Sequence, residues 1–267
     1  MSLRSRQVLF ALSLHFEGDY EKMFDEIAHK RRCLGNDEIE ELSRTKMDCD
    51  YCVITEENYP DSFKQCMKPP LIFYYYGNLS LLKSKHRITC VGTRAPNLYQ
   101  TETCYRMIQE MEDKLDNQVV VVSGMAKGLD QTFMKGAMDK GAPVVSIVGA
   151  GIDEPYPKEN DGIYDYCKSG KGLILSEYPL KTKAKPENFL FRNRLLAAAS
   201  DVLFIGGAKK RSGTSSTLSY ALEFGKNVCA LPCNISGDDL TNQIIKDGAD
   251  LILDADDLVR EVSEASK

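Results

Sequence analysis

Residues 117–138 read "NQVVVVSGMAKGLDQTFMKGAM". Positions 119–122 are apolar without interruption. A strand with one face in water alternates apolar and polar residues, whereas one that is apolar throughout is covered on both faces, as parallel strands are in α/β sheets. The run stops at Ser123-Gly124, passes through a short loop closed by Gly128, and a helical pattern opens at Leu129 and continues to Lys140. Strand, glycine turn and helix in that order are the unit from which open, twisted α/β sheets are built.

Outward from this unit the same rhythm recurs. The segments "RITCVG", "PVVSIVG", "GLILSE", "DVLFIGG" and "NVCALPC" read as further short strands, with "DLIL" as a weak last one. Helical patterns separate them over residues 99–115, 160–169, 191–200, 212–225 and 239–247. Right-handed crossovers then give an α/β fold, a doubly wound and mostly parallel Rossmann-like sheet. Residues 1–70 carry helical patterns instead: Val8, Leu9, Leu12 and Leu14, then Met23, Phe24 and Ile27, then Ile39 and Leu42. The expected organisation is a small helical domain over 1–70 and the sheet domain over 71–267. The transition "YPDSFKQCMKPPLIFYYYGN", residues 59–78, is punctuated by prolines and by Gly77-Asn78.

Composition narrows the function classes. The hydrophobic fraction of 43% and the charged fraction of 27% fit a folded globular chain. No apolar run approaches the roughly 20 residues a membrane-spanning helix needs. The N-terminal apolar run is short, is followed by His15 and lacks a small-residue cleavage site, so it reads as a first helix rather than a signal peptide. A cytoplasmic protein is expected. The nine cysteines are odd in number and irregularly spaced, which suits buried free thiols in a reducing compartment. Cys49 and Cys52 form a Cys-x-x-Cys pair with no second pair at ligand spacing, so no metal is expected. The three histidines are scattered, and no catalytic triad is expected.

The net charge of −5 hides an asymmetry. Between residues 180 and 211 lie Lys181, Lys183, Lys185, Arg192, Arg194, Lys209, Lys210 and Arg211 against Glu187 and Asp201. The segment from Gly237 onward is acidic. Such sign asymmetry points to a directed basic patch. The alternative is that these lysines are spread over separate surfaces.

An open α/β sheet binds its ligand where strands end and helices begin. The residues at those points are Gly92-Thr93-Arg94, Ser123-Gly124, Gly149-Ala150-Gly151, Ser176-Glu177, Gly206-Gly207 running to Ser212-Gly213-Thr214, and Pro232-Cys233-Asn234. Glycine lets backbone N–H groups approach an anion, and the next helix N-terminus adds its positive end. A phosphate-binding edge is implied. It carries neither a dinucleotide G-x-G-x-x-G nor a Walker lysine loop.

Taken in order, "VGTRAPNLYQ", "SGMAKGLDQTFMKGAM", "GAGIDEPYPKEN", "LSEYPL", "FLFRNRLLAAASDVLFI" and "RSGTSSTLSYALEFGKNVCALP" resemble the DNA processing protein A (DprA/Smf) family. The resemblance runs from about Tyr59 to Ala249, and the helical segment before it resembles the sterile-alpha-motif-like domain of some members. It implies a homodimer that binds single-stranded DNA during natural transformation, protects it, and helps load the RecA recombinase, with no cofactor and no enzymatic step. The site residues it implies are Arg94, Lys185, Phe189, Arg192, Asn193 and Arg194, which join Gly92, Thr93, Ser123, Gly124, Ser212, Gly213 and Thr214 of the strand-end loops in the expected DNA-binding site. Arg94 would take a phosphate and Phe189 would stack on a base. The sequence departs from the family pattern at Met134 (histidine), Leu190 (proline), Gly207 (glutamate) and Cys233 (glycine).

The segment "ENFLFRNRLLAAAS", residues 187–200, sharpens this reading. It is expected to hold Phe189 in a loop and Arg192 to Arg194 in a first helical turn, where cations oppose the helix dipole and an anion would reverse the local charge. Arg194 has a competing partner in Glu177. Two other functions stay open. The "GG…SGT" stretch also resembles nucleotide phosphoribohydrolases, but Thr214 is followed by Ser215, Ser216 and Thr217 where those enzymes carry a glutamate. A small-nucleotide sensor could use the same pocket.

Overall fold

The computed structural model describes residues 3–154, 156–157, 160–235 and 239–266. Parts of the third glycine loop (155, 158, 159) and the start of the acidic segment (236–238, with Gly237) lie outside the described residues.

Helices α1 (Leu3–His15), α2 (Tyr20–His29) and α3 (Asn36–Ser43) open the chain, followed by strand β1 (Asp50–Val53), the single turn α4 (Asp61–Lys64) and β2 (Ile72–Gly77). The alternating part runs β3 (Arg87–Val91), α5 (Leu98–Lys114), β4 (Val120–Ser123), α6 (Leu129–Asp139), β5 (Val144–Ile147), α7 (Asp161–Tyr166) and β6 (Leu173–Ser176). It continues with α8 (Pro186–Ala198), β7 (Val202–Ile205), α9 (Gly213–Glu223), β8 (Asn227–Ala230), α10 (Thr241–Lys246), β9 (Asp250–Leu251) and α11 (Ala255–Ala265).

The strands form one nine-stranded sheet in the order β1-β2-β6-β5-β4-β3-β7-β8-β9. From β6 to β9 every neighbour is parallel, while β1–β2 and β2–β6 are antiparallel. The doubly wound sheet read from the sequence is therefore present, and each strand expected from "RITCVG" onward is found. The strand order turns at β3, which has β4 on one side and β7 on the other. That is the topological switch point, where crossovers leave toward opposite faces and open a crevice at the carboxyl ends of β3 and β7.

Continuous apolar runs behave as two-sided burial requires. Val119 and Val121 enter one core layer and Val120 and Val122 the other, each at most 1% exposed. The first layer takes Met107 and Ile108 of α5, Phe133 of α6 and Leu258 and Val262 of α11. The second takes Leu195 and Leu196 of α8 and Leu218 and Ala221 of α9.

The fold differs from the sequence reading in three places. The transition segment, read as a connector, supplies β2, and β1 precedes it. "DYCV" and "IFYYYG" add antiparallel to the free edge of β6, with Tyr51 opposite Tyr74 and Cys52 opposite Phe73. The N-terminal helices pack directly on these strands: Phe10 stacks on Tyr51 with centroids 4.6 Å apart, and the Tyr74 hydroxyl donates to Ser13 Oγ at 2.9 Å. The helix α11 lies beyond the last helix expected; Asp254 caps it by accepting from the Asp257 N–H. The third difference is where α8 begins. It starts at Pro186, five residues before the helix expected at Phe191, because proline at the first helical position loses no hydrogen bond and Glu187 complements the helix N-terminus. Phe189 is therefore helical, and Arg192 and Arg194 lie beyond the first turn. The dipole argument made for them in sequence does not apply.

No helix among the described residues is long and apolar enough to cross a membrane. Among them, no group of three or more His, Cys, Asp or Glu side chains comes together in a metal-holding cluster.

Candidate nucleic-acid interface

A cleft of about 760 Å³ opens at the switch point. Its lining comes from the loop after β3 (Gly92, Thr93, Arg94), from Ala126 in the loop after β4, from Asp130 in the first turn of α6, from Phe189, Leu190, Arg192 and Asn193 of α8, and from Lys209, Arg211, Ser212, Gly213 and Thr214 before and within α9.

The loops are stitched to one another by backbone groups. Thr93 N–H donates to the Gly207 carbonyl at 2.7 Å, and Leu129 N–H to the Thr93 carbonyl at 3.1 Å. Gly128 permits that approach: its φ is +85°, and a Cβ there would meet the Thr93 carbonyl oxygen at 2.4 Å. Thr214 Oγ1 donates to the Gly92 carbonyl at 3.4 Å. Ser212 is the N-cap of α9 but makes no capping bond, because its hydroxyl donates to the Lys209 carbonyl at 2.8 Å. The first turn of α9 thus faces the cleft without a side-chain cap.

On α8, Phe189 turns to Tyr156 with ring centroids 5.5 Å apart, and Arg192 lies 5.8 Å from the Phe189 ring. Arg192 is 4% exposed. Its Nη1 donates to the Gly124 carbonyl at 3.1 Å and to the Ile147 carbonyl, and its Nε to Asn193 Oδ1 at 3.3 Å. Among the described residues it makes no ion pair. Burial pulls this guanidinium down to about 10; Asp130 opposes that shift and Arg94 adds to it. A buried cation whose hydrogen bonds all go to neutral groups favours an incoming anion. Asn193 donates to the Gly213 carbonyl at 3.2 Å and to Ser216 Oγ at 2.8 Å, fixing the start of α9 against α8.

Arg194, two residues on, is a correction. Expected at the ligand, it is 1% exposed and points away from the cleft. Its guanidinium forms a two-pronged pair with Glu177, with Nη1 to Oε2 at 2.6 Å, and its Nε donates to the Lys68 carbonyl at 3.0 Å. It also lies 3.7 Å over the Phe191 ring. The carboxylate foreseen as its competing partner holds it, and with Lys68 it ties α8 to the loop between α4 and β2.

Two further expected residues lie under the cleft rather than in it. Ser123 is fully buried and donates to the Cys90 carbonyl at 2.7 Å. Gly124 gives its carbonyl to Arg192, and a Cβ on it would meet Arg192 Nη2 and Asp130 Oδ2, both at 2.9 Å. Lys185 is exposed at the N-cap of α8, outside the lining. The basic segment therefore divides: Lys181, Lys183, Lys185, Lys209, Lys210 and Arg211 are exposed, and Arg192 and Arg194 are buried.

Sequence reasoning missed Asp130 and Tyr156. Asp130 is 5% exposed and lines the cleft. Its Oδ1 accepts from the Gly92 N–H and its Oδ2 from the Ala126 N–H, both at 3.2 Å. Burial pushes its carboxyl up to about 6, against Arg192, these two amides and Arg94. The signal was an acidic residue in the first turn of the helix after "SGMAKG".

These features define a doubly wound α/β protein with an arginine-lined cleft, amide-rich loops and an aromatic pair at its switch point. The chain belongs to the DNA recombination-mediator protein A family, whose model matches residues 50–263. It is 32% identical over 210 residues to the DNA processing protein DprA of Streptococcus pneumoniae, spanning 78% of this chain and 72% of that protein. The crystal structure of the Streptococcus pneumoniae protein superposes with a TM-score of 0.77 at 28% identity, covering 96% of this chain and 93% of the other. The DNA processing protein A of Helicobacter pylori, described in terms of its single-stranded DNA binding mode, gives a TM-score of 0.71 at 29% identity, with 82% and 99% covered.

Proposed function

We propose that this chain binds single-stranded DNA in the switch-point cleft and does so without catalysing a reaction. The observation that carries the reading is Arg192: a buried guanidinium, held by carbonyls, at the edge of a cleft that also presents the Phe189–Tyr156 pair. A single strand is held by a basic groove along its backbone and by rings on which bases stack. Arg94, exposed at the rim, forks to a phosphate. Lys209 and Arg211 extend the groove, and the uncapped start of α9 adds a partial positive charge. The role we propose for it is the processing of DNA taken up in natural transformation, in which a homodimer protects the strand and helps load the RecA recombinase; membership of the DNA recombination-mediator protein A family supports this reading.

The phosphoribohydrolase alternative would have to use Asp130, since among the described residues of the cleft it is the one carboxylate, and both its oxygens are taken by backbone amides.

The test is fluorescence anisotropy with a labelled poly-dT oligonucleotide, with duplex DNA and AMP as competitors. The expected result is preference for the single strand and no release of ribose 5-phosphate from AMP. Arg94→Ala should weaken binding and reduce the salt slope by about one phosphate contact. Normal binding by a folded Arg94→Ala protein would put the strand elsewhere, and AMP hydrolysis at an ordinary enzymatic rate would overturn the non-enzymatic reading.

A further inference from the structure

The ends of β3 and β4 form an amide cradle of the kind that holds phosphate groups at switch points. In this chain part of that cradle is occupied from within. The Gly92 N–H, at the end of β3, and the Ala126 N–H, in the loop after β4, both donate to the carboxyl of Asp130. Asp130 is buried and forms part of the cleft wall. Gly124, which lacks a Cβ, makes room for Asp130 Oδ2 and Arg192 Nη2 side by side. The charged and titratable groups that face this carboxyl are Arg192 of α8, Arg94 of the first loop and the thiol of Cys90 on β3.

We propose that Asp130 is a resident anion that competes with the strand's phosphates for the cleft's arginines and amides, so that the chain takes up a proton at Asp130 when a strand binds. This rests on the reading of the cleft as the strand site. A phosphodiester placed against Arg94 and Arg192 comes within the reach of an ionised, poorly solvated carboxylate, and like charges in a water-poor site repel strongly. Protonation removes that repulsion. The carboxyl titrates near 6, so the proton is available close to neutral pH. A phosphodiester stays ionised throughout this range, and the histidines lie elsewhere: His15 and His29 belong to the N-terminal helices, and His86 precedes β3 at the end of the sheet opposite the cleft. By linkage, a strand that raises the Asp130 pKa must bind more tightly as pH falls.

The experiment is anisotropy with labelled poly-dT on the wild-type chain between about pH 7.5 and about pH 5.5 at constant ionic strength, with calorimetric titration in two buffers of different ionisation enthalpy. Affinity should rise toward low pH, by up to about tenfold per pH unit, the limit for one linked proton. Calorimetry near pH 6.5 should show uptake of up to about one proton per site. Asp130→Asn should bind at about pH 7.5 at least as tightly as wild type does at about pH 5.5, with a flat profile and no uptake. If Asp130 only ties the loops together, wild-type affinity is independent of pH, no proton is exchanged, and Asp130→Asn binds more weakly at every pH. That outcome overturns the inference and leaves the strand site standing. Should Asp130→Asn fail to fold, the wild-type profile and proton count decide. No strand binding at any pH overturns both readings.

Discussion

Helix α8 has two faces, and they use the same kinds of residue for different ends. Toward the cleft it presents Phe189 and Arg192; toward the N-terminal helices it presents Phe191 and Arg194. Each face pairs an aromatic ring with a buried arginine. On the second, the guanidinium meets a carboxylate in two-pronged geometry, the Lys68 carbonyl and a ring at 3.7 Å, and Phe191 continues onto Tyr20 of α2. On the first, the guanidinium meets carbonyls and an asparagine, and its ring partner opens to the cleft. A buried ion hydrogen-bonded to its counter-ion breaks the fold when that partner is removed, whereas one hydrogen-bonded only by neutral groups is stabilised further by an arriving counter-charge. The comparison teaches that burial of an arginine says nothing about its role until its counter-ion is known.

The largest expected effect tests the closed face. Glu177→Ala leaves the Arg194 charge buried without its partner and should cost about 3–5 kcal/mol of stability. A urea unfolding curve reads this as a lowered midpoint, and the strand affinity of the protein that remains folded should stay near wild type. A midpoint that hardly moves would mean that Arg194 relaxes toward solvent and that the two faces are not distinct.

Next comes the open face. Arg192→Ala should remove a charge-assisted contact worth about 1.5–3 kcal/mol of strand binding, on the order of ten- to a hundredfold in affinity. Its unfolding midpoint should fall less than that of Glu177→Ala, because the carboxyl it leaves behind, Asp130, keeps two backbone amides and, pushed up to about 6 by burial, can take up a proton, whereas Arg194 cannot shed its charge. If stability drops as far as in Glu177→Ala while the folded fraction binds normally, Arg192 belongs to the fold and not to the site.

The ring on the open face gives the smallest effect. Base stacking on an aromatic is worth roughly 1–3 kcal/mol. Phe189→Ala should weaken binding of a normal strand accordingly and spare an abasic strand of equal charge. Phe189 also packs on Gly149, where a Cβ would meet its ring at 2.9 Å. Equal losses on both strands would assign it to packing.

Read by itself, the sequence determined the parallel sheet and the edge where the cleft opens. Runs such as 119–122 and the glycines that end them are local signals: uninterrupted apolarity demands cover on both faces, and a glycine at a strand end permits a tight turn toward a helix. The switch point follows from strand order, and the loops that meet there were legible one by one. The start of α8 was marked too, by Pro186 and Glu187, and α11 by Ala255, Leu258 and Val262 on one face behind the Asp254 cap, although these signals did not enter the reading. Tertiary structure alone decided the partners. Arg192 and Arg194 stand two residues apart in one sequence motif, yet one meets Glu177 from the end of β6 and the other meets carbonyls from the ends of β4 and β5. The edge strands β1 and β2 were likewise settled by what they pair with, because "DYCV" and "IFYYYG" carry no alternation that names a neighbour. Asp130 shows the same limit: an acidic residue at a helix start reads as dipole compensation, and only the folded chain brings the Gly92 and Ala126 amides to its two oxygens. Local pattern fixes the conformation of a segment through short-range sterics and solvent, whereas the identity of a counter-ion depends on distant segments that the fold alone carries into contact.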